Sequence, residues 1–452
     1  MSCETASKNA TAPEPGVAPG LGRSADDALR AAERLERRWS EHGVDGRLAD
    51  LIPGMDAPFF QAGLAGYSDA AMRLIARRLG CPLCITEALL DRTLLAGGRG
   101  FAKADLGDLA DNVPGGADDA PLLGQIMGSE PAEMAAAAVK MVEQGARADR
   151  EYRDLAYDDL TTHKVKSYDN GTSAFHCSPS ASPTPNPTRT RTGYASIDLN
   201  IACPVKKIKS KARGGHWLAQ PQGAIDIIEA VRDALPASVP VTLKMRRSFD
   251  DTPEMAENFF RIFDAAYDLG VAFVTVHGRS VQQKYIGPSR WDILRDIVKR
   301  KHPGRVKDRL IFTSGDVWTA EDIPLMLDYT GSHAASVARG CIGNPWIFRQ
   351  ARQLFAGQTP TTPTLEEQRG VLEDHFGLAL AANARLVRHA ESFTGRTMRK
   401  FGIRFAQHHP DAELVRKRFI EVDSTESWQA VLDDHYGSAV VGTCIGHAPR
   451  DF

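Results

Sequence analysis

The sequence predicts a (β/α)8 TIM barrel followed by a small all-α helical bundle. Three observations predict it. Short apolar, β-branched runs alternate with helical stretches eight times between residues 59 and 338, and strict alternation of strand and helix means a parallel sheet, which eight units close into a barrel. Polar and charged residues gather where those runs end, the face on which barrels carry chemistry. Past a Pro/Thr linker at Thr359-Pro360-Thr361-Thr362-Pro363-Thr364 the pattern becomes wholly helical. A doubly wound open sheet is the alternative that the same alternation allows.

Taken in order, residues 1–50 read as a tail, disordered over its Ala/Pro/Gly/Ser/Thr-rich start and helical from Ser24, a good N-cap, to about Arg47. The barrel is expected over 51–358. Its strands are Phe59–Ala62, Leu83–Thr86, Leu122–Ile126, Ile197–Asn200, Val241–Met245, Phe273–His277, Leu310–Thr313 and Ala335–Ala338, with helices between them such as 131–144, 223–235, 252–269 and 291–299. One connection breaks the rhythm. Residues 147–193 form a Pro/Ser/Thr-rich insertion, which reads as disordered and enters before a strand, away from the chemical face. A helical bundle with one basic face is expected over 364–440, with a tail at 441–452.

Composition narrows the class. The 452 residues are 42% hydrophobic and 25% charged, ordinary for a soluble enzyme. The net charge is −2, so any nucleic-acid binding must come from local basic patches. Seven scattered cysteines argue against a disulfide framework and for a reducing, cytoplasmic setting. Cys81-Pro82-Leu83-Cys84 has redox or metal spacing but no matching Cys/His pair, so no metal is expected. No apolar run reaches eighteen residues, so no membrane span is expected, and the protein is expected to be a monomer.

The stretch Ser196-Ile197-Asp198-Leu199-Asn200-Ile201-Ala202-Cys203-Pro204 runs from a buried strand into a sharp stop, because proline cannot continue a strand ladder. Lys206, Lys207, Lys209, Lys211 and Arg213 follow, five cations in eight residues, closed by Gly214-Gly215. A thiol at a strand end beside a dense positive field suits chemistry on an anionic polymer. A core cysteine followed by a solvated basic loop is the plainer alternative.

Other strand ends carry Gly63-Leu64-Ala65, Gln125, Lys244, His277, Ser314-Gly315-Asp316 and Ala338-Arg339. Gln125 offers a donor and an acceptor. A lysine in a barrel mouth needs an anionic partner. The glycine loops after strands 7 and 8, with an arginine, suit a phosphate.

These motifs, in this order, resemble the tRNA dihydrouridine synthases, which run Asp-x-Asn-x-Gly-Cys-Pro before a basic loop, Ala-Pro-Met-Ala-Gly-Val-Thr-Asp after the first strand, and Asn-Gly-Asp and Gly-Arg after the seventh and eighth. The likeness covers about 57–436 without the insertion. Gly63, Ala202, Ser314 and Ala338 depart from it. The resemblance implies FMN bound by Gly63, Leu64, Ala65, Gln125, Asn200, Lys244, His277, Ser314, Gly315, Asp316, Ala338 and Arg339, with NADPH as reductant. It implies reduction of the C5=C6 bond of uridines in tRNA, with Cys203 giving the proton to C5, and no membrane or metal. The expected tRNA contacts are Lys206, Lys207, Lys209, Lys211, Arg213, Arg279, Arg399, Lys400, Arg404, Arg416 and Lys417. Two rivals stay open: an FMN barrel oxidoreductase acting on a small molecule, of the dihydroorotate dehydrogenase or ene-reductase kind, and a tRNA-binding protein with a degenerate flavin site.

Overall fold

The computed structural model describes residues 24–42, 46–96, 117–143, 193–204, 214–300, 309–384, 387–437 and 440–442. The 147–193 insertion (but for Gly193), the basic loop at 206–213, the first 23 residues and the 443–452 tail lie outside them.

Among the described residues nine strands run in chain order: β1 (Phe59–Gln61), β2 (Cys84–Ile85), β3 (Leu89–Leu90), β4 (Leu122–Met127), β5 (Ser196–Ile201), β6 (Val241–Arg246), β7 (Val274–His277), β8 (Ile311–Ser314) and β9 (Ala334–Val337). All pair in parallel. β1 pairs with β2 on one side and β9 on the other, and β2 also pairs with β4, so eight strands close into the expected barrel. β3, absent from the sequence reading, is a two-residue strand added to the outer half of β4.

Period-two alternation sorts each strand between two apolar layers. Phe60, Leu83, Ile85, Leu123, Phe273 and Phe312 form one cluster, and Phe273 stacks on Phe312 with centroids 4.1 Å apart. Leu48, Ile52 and Met55 join that cluster from the segment of α2 (Gly46–Leu51) that precedes β1. The neighbouring strand positions, such as Phe59, Ile197, Leu199 and Leu243, belong to the larger core that the helices cover.

α1 (Ala25–His42) is the helix expected from Ser24, here docked on the barrel. Ala28, Ala31, Ala32 and Leu35, at helical spacing, are buried against the barrel helices α9 (Asp322–Thr330) and α10 (Ile347–Phe355). Arg34 adds an ion pair to Asp328 at 2.7 Å. Between them run α3 (Ala70–Arg78), α4 (Asp91–Ala96), a helix over 131–143 (α5), α6 (Pro221–Ala234), α7 (Pro253–Asp268) and α8 (Trp291–Lys299). Beyond the barrel, α11 (Leu365–Ala384), α12 (Ala390–Phe405), α13 (Ala412–Glu421) and α14 (Thr425–His435) form the helical bundle. Their shared core is aromatic, with Phe419 against Trp428 at 5.1 Å and Phe376 against Trp428 at 5.0 Å. α11 and α12 turn their other sides to the barrel, where α11 packs on α3.

Candidate active site

Strand register builds the floor of the barrel mouth. Gln125 of β4 stands opposite Asp198 of β5, Asp198 opposite Thr242 of β6, and Asn200 opposite Lys244. Side chains therefore meet in one layer. Gln125 Nε2 donates to Asp198 at 2.7 Å, Thr242 Oγ1 donates to Asp198 at 2.7 Å, and Asn200 Nδ2 donates to Gln125 Oε1 at 2.7 Å. Burial raises the pKa of Asp198, opposed by those two hydrogen bonds and by Lys244. Burial lowers that of Lys244, opposed by Asp198. Gln125 is fully buried with both ends of its amide engaged. Gln125 in turn orients Asn200.

Asn200 also holds the cysteine turn, its Oδ1 accepting the Ala202 N–H at 3.0 Å. Two further grips fix that turn. Gly215 N–H donates to the Cys203 carbonyl at 2.9 Å, and Arg246 Nε donates to the Ala202 carbonyl at 2.9 Å. Arg246 is buried and also holds the Ser280 and Lys284 carbonyls at 2.7 and 2.8 Å. Burial and its cationic neighbours push its pKa down to about 10. The sequence reading passed over it, though it lies two residues after Lys244 and hence on the same side of β6. Cys203 is half-buried and is not in a disulfide among the described residues.

β7, β8 and β9 supply the remaining wall. His277 Nδ1 accepts the Arg279 N–H at 3.1 Å. Burial, then Arg246, Arg279, Lys244 and Arg339, holds its pKa well below the usual value, so the ring is neutral and Nε2 carries the proton. Asp316, at φ +57°, accepts from Arg279 at 2.7 and 2.9 Å and from the Ser289 N–H at 2.6 Å. Gly315 sits at φ +119°, and a Cβ there would lie 2.3 Å from Ser289 Oγ, so only glycine fits. Arg339 lies over the Trp318 ring at 4.5 Å and near Tyr285 at 5.4 Å, 3.8 Å from Asp316. Burial, then Arg279, lowers its pKa, and Arg404 of α12 adds to that. Lys244, Arg246, Arg279, Arg339 and Arg404 thus crowd one mouth. Arg279 Nη1, Ser289 Oγ and Ser336 Oγ are buried there with no protein partner.

The loop after β1 closes the opposite side. A Cβ on Gly63 would lie 2.3 Å from the Thr86 carbonyl oxygen and 3.2 Å from Gln125 Oε1, so this edge is drawn tight against β2. Ser68 Oγ accepts the Leu64 N–H at 2.8 Å. Arg73 holds the Ser68 carbonyl and a fully buried ion pair with Asp119 at 2.8 Å. Glu87, unremarked in the sequence, takes the Gly66 N–H at 2.6 Å.

The cations expected on RNA divide into groups. Lys206, Lys207, Lys209, Lys211 and Arg213 lie outside the described residues. Arg416 and Lys417 are exposed on α13. Three have partners within the protein. Arg279 is 4% exposed and held by Gly287 and Asp316. Arg399 donates to the Val422 carbonyl inside the bundle, and Lys400 to the Gly66 carbonyl of the barrel. Arg404 sits at the mouth near Arg339, where a Cβ on Gly343 would lie 2.5 Å from its own Cβ.

Fold and site together define a (β/α)8 barrel with a thiol-bearing, cation-lined mouth and a helical appendage docked on its rim. The chain belongs to the dihydrouridine synthase family, whose model, described as dihydrouridine synthase (Dus), matches residues 188–435. It is 31% identical over 242 residues to a probable tRNA-dihydrouridine synthase of Treponema pallidum, across 53% of this chain and 68% of that protein. It is 34% identical over 185 residues to tRNA-dihydrouridine synthase B of Shewanella oneidensis, across 41% of this chain and 54% of that protein. A 26% identity over 378 residues to the corresponding Pseudomonas putida protein covers 81% of this chain and 87% of that one. The matched stretch thus spans about half of the Shewanella relative's length.

Proposed function

We propose that this protein reduces the C5=C6 bond of uridines in tRNA to dihydrouridine, with FMN as resident cofactor and NADPH as reductant. The crowding of cations at the mouth carries this reading. Lys244, Arg246 and Arg339 all have pKa values lowered by burial and by cationic neighbours. An anion seated among them relieves that cost. The unpartnered Arg279 Nη1, Ser289 Oγ and Ser336 Oγ offer donors to it. FMN fits this donor set: Gly315, Ala338 and Arg339 would hold its phosphate, and Gly63, Leu64, Ala65, Asn200, Lys244 and His277 would border its ring. Ser314 and Asp316 shape the phosphate side, Asp316 by aligning Arg279.

Bound FMN supplies hydride transfer, from NADPH to C6 of the uracil. The chain's own residues do the rest. Neutral His277 can donate from Nε2 to a carbonyl oxygen without adding charge. Lys244 balances negative charge near the ring. Cys203 gives its proton to C5, and Lys244 and Arg246, which both interact electrostatically with it, stabilise the thiolate until solvent reprotonates it. Asn200, Gly215 and Arg246 hold the turn so that the sulfur is already in place. Tyr285, 52% exposed between Arg246 and Arg339, offers a face on which a base turned out of folded RNA can stack. The exposed Arg416 and Lys417, and the basic loop at 206–213, suit the phosphates.

Measuring dihydrouridine in tRNA from a strain lacking this protein tests the reading. Loss at one or more positions, restored by the wild-type chain and not by Cys203→Ala, is expected. Unchanged dihydrouridine would overturn it. Lys244→Ala and Arg339→Ala should each weaken FMN retention, and full flavin in both would displace the cofactor site.

A further inference from the structure

The helical domain meets the barrel at the loop between β1 and α3. Lys400 of α12 donates from Nζ to the Gly66 carbonyl. Its ammonium also lies 5.1 Å from the centroids of the Tyr67 and Phe401 rings. Tyr67 meets Phe401 edge-on at 5.6 Å, and Phe401 lies 4.4 Å from His375 of α11. From the barrel side, Glu87 accepts the Gly66 N–H at 2.6 Å. Gly66 is at φ +74°, a conformation that glycine adopts without strain. The two peptide units flanking Gly66 are therefore held from opposite sides, one by a barrel carboxylate and one by a helical-domain ammonium. The turn is short and internally bonded, with Tyr67 N–H and Ser68 N–H both donating to the Leu64 carbonyl at 2.9 and 3.0 Å. A displacement at Gly66 must therefore reach Gly63-Leu64-Ala65.

We infer that Lys400 is a positioning residue through which the helical domain sets the shape of the flavin-bordering loop, rather than a contact to RNA phosphate. This rests on the flavin reading above. An ammonium bonded to the Gly66 carbonyl and flanked by two ring faces is drawn toward the barrel. The two roles predict opposite responses. A phosphate contact contributes to the salt dependence of RNA binding, whereas a loop clamp leaves that slope alone and changes the loop.

The test uses full-length Lys400→Met, which keeps the apolar stem, and Lys400→Arg, which keeps the charge. Amide hydrogen exchange over 63–69 is measured without FMN, FMN affinity by flavin fluorescence, and tRNA affinity as a function of salt. For Lys400→Met the expectation is about tenfold faster exchange and about tenfold weaker FMN binding, the scale of one hydrogen bond to a charged group. The salt slope should match wild type, and Lys400→Arg should recover most of both losses. Unchanged exchange over 63–69, or a salt slope shallower by about 0.7–0.9, as for a lost phosphate contact, would overturn the inference. If the wild-type protein bound no FMN, the flavin reading would fall, and the exchange result alone would uphold or overturn the clamp. Should Lys400→Met fold poorly, Glu87→Gln weakens the other grip on Gly66 and must loosen the same segment; unaltered exchange in that variant also overturns the inference.

Discussion

Gly63→Ala adds one methyl group at the tightest point of the site edge. The new Cβ would lie 2.3 Å from the Thr86 carbonyl oxygen, 3.2 Å from Gln125 Oε1 and 3.4 Å from Ile85 Cγ2. The first contact is roughly 1 Å inside normal van der Waals separation. Thr86 O is backbone, so it cannot rotate away. Moving it disturbs the Thr86 N–H bond to the Leu123 carbonyl at 3.0 Å and the Gln125 N–H bond to Thr86 Oγ1 at 2.9 Å. Overpacking of this kind costs about 1–3 kcal/mol, and a weakened backbone bond adds about 1 kcal/mol. In a chain of this size a loss of about 2–4 kcal/mol should lower Tm by roughly 2–5 °C. Because Gln125 orients Asn200, FMN affinity and the reactivity of Cys203 should fall with it. The family pattern carries proline here, yet Gly63→Pro brings the same Cβ and should do no better. Thermal unfolding followed by circular dichroism, with flavin titration of the folded protein, checks both variants. A Gly63→Ala protein within a degree of wild type, with unaltered FMN binding, would refute the close packing of β1 on β2.

Cys203→Ala should bind FMN and accept electrons from NADPH, then fail by about 10²–10⁴-fold in flavin reoxidation by tRNA, with Cys203→Ser nearly as poor; a wild-type rate in stopped flow would remove the thiol from the reaction. Arg416→Ala and Lys417→Ala should each make the salt dependence of tRNA binding shallower by about 0.7–0.9, whereas Arg399→Ala, which loses a bond inside the bundle, should lower Tm and leave the slope alone. Burial depresses the His375 pKa to about 4, so the unfolded chain takes up that proton first. The stability His375 contributes is full above about pH 6.5 and falls as pH drops toward 4, by about 2 kcal/mol at pH 5, and His375→Gln should flatten denaturant midpoints across that window.

The barrel was legible because its strands are buried on both sides and read as continuous apolar runs punctuated by turns. Lys244 and His277 stood out because charge at a strand end is conspicuous. Glu87 and Arg246 did not, since their work is to hold backbone carbonyls and N–H groups contributed by distant loops. Counting cations on α12 told their number and not their direction. Met398, Phe401 and Phe405 make one buried stripe, while Gly395 and Gly402, where a Cβ would strike the Asp423–Ser424 backbone and Phe419, make a second. A helix covered on two sides brings flanking residues such as Arg399 and Lys400 within reach of backbone carbonyls of its neighbours. The seven-residue glycine spacing was the available signal. α1 was legible too, in the spacing of Ala28, Ala31, Ala32 and Leu35, but its partners lie some three hundred residues downstream, beyond any local pattern.

Closure of the ring between β1 and β9 sets a timetable for the nascent chain. The first strand made waits for the last, and α1 waits for α9 and α10. Until translation has passed residue 337 the ring stays open, with the free edges of β1 and of the newest strand available to other chains. Contacts so remote in sequence also slow folding, since loop-closure entropy is lost before they form. Truncations that stop short of β9 should therefore yield no partial barrel, only aggregation-prone sheet, and a helical domain made after the ring has shut meets an already formed rim.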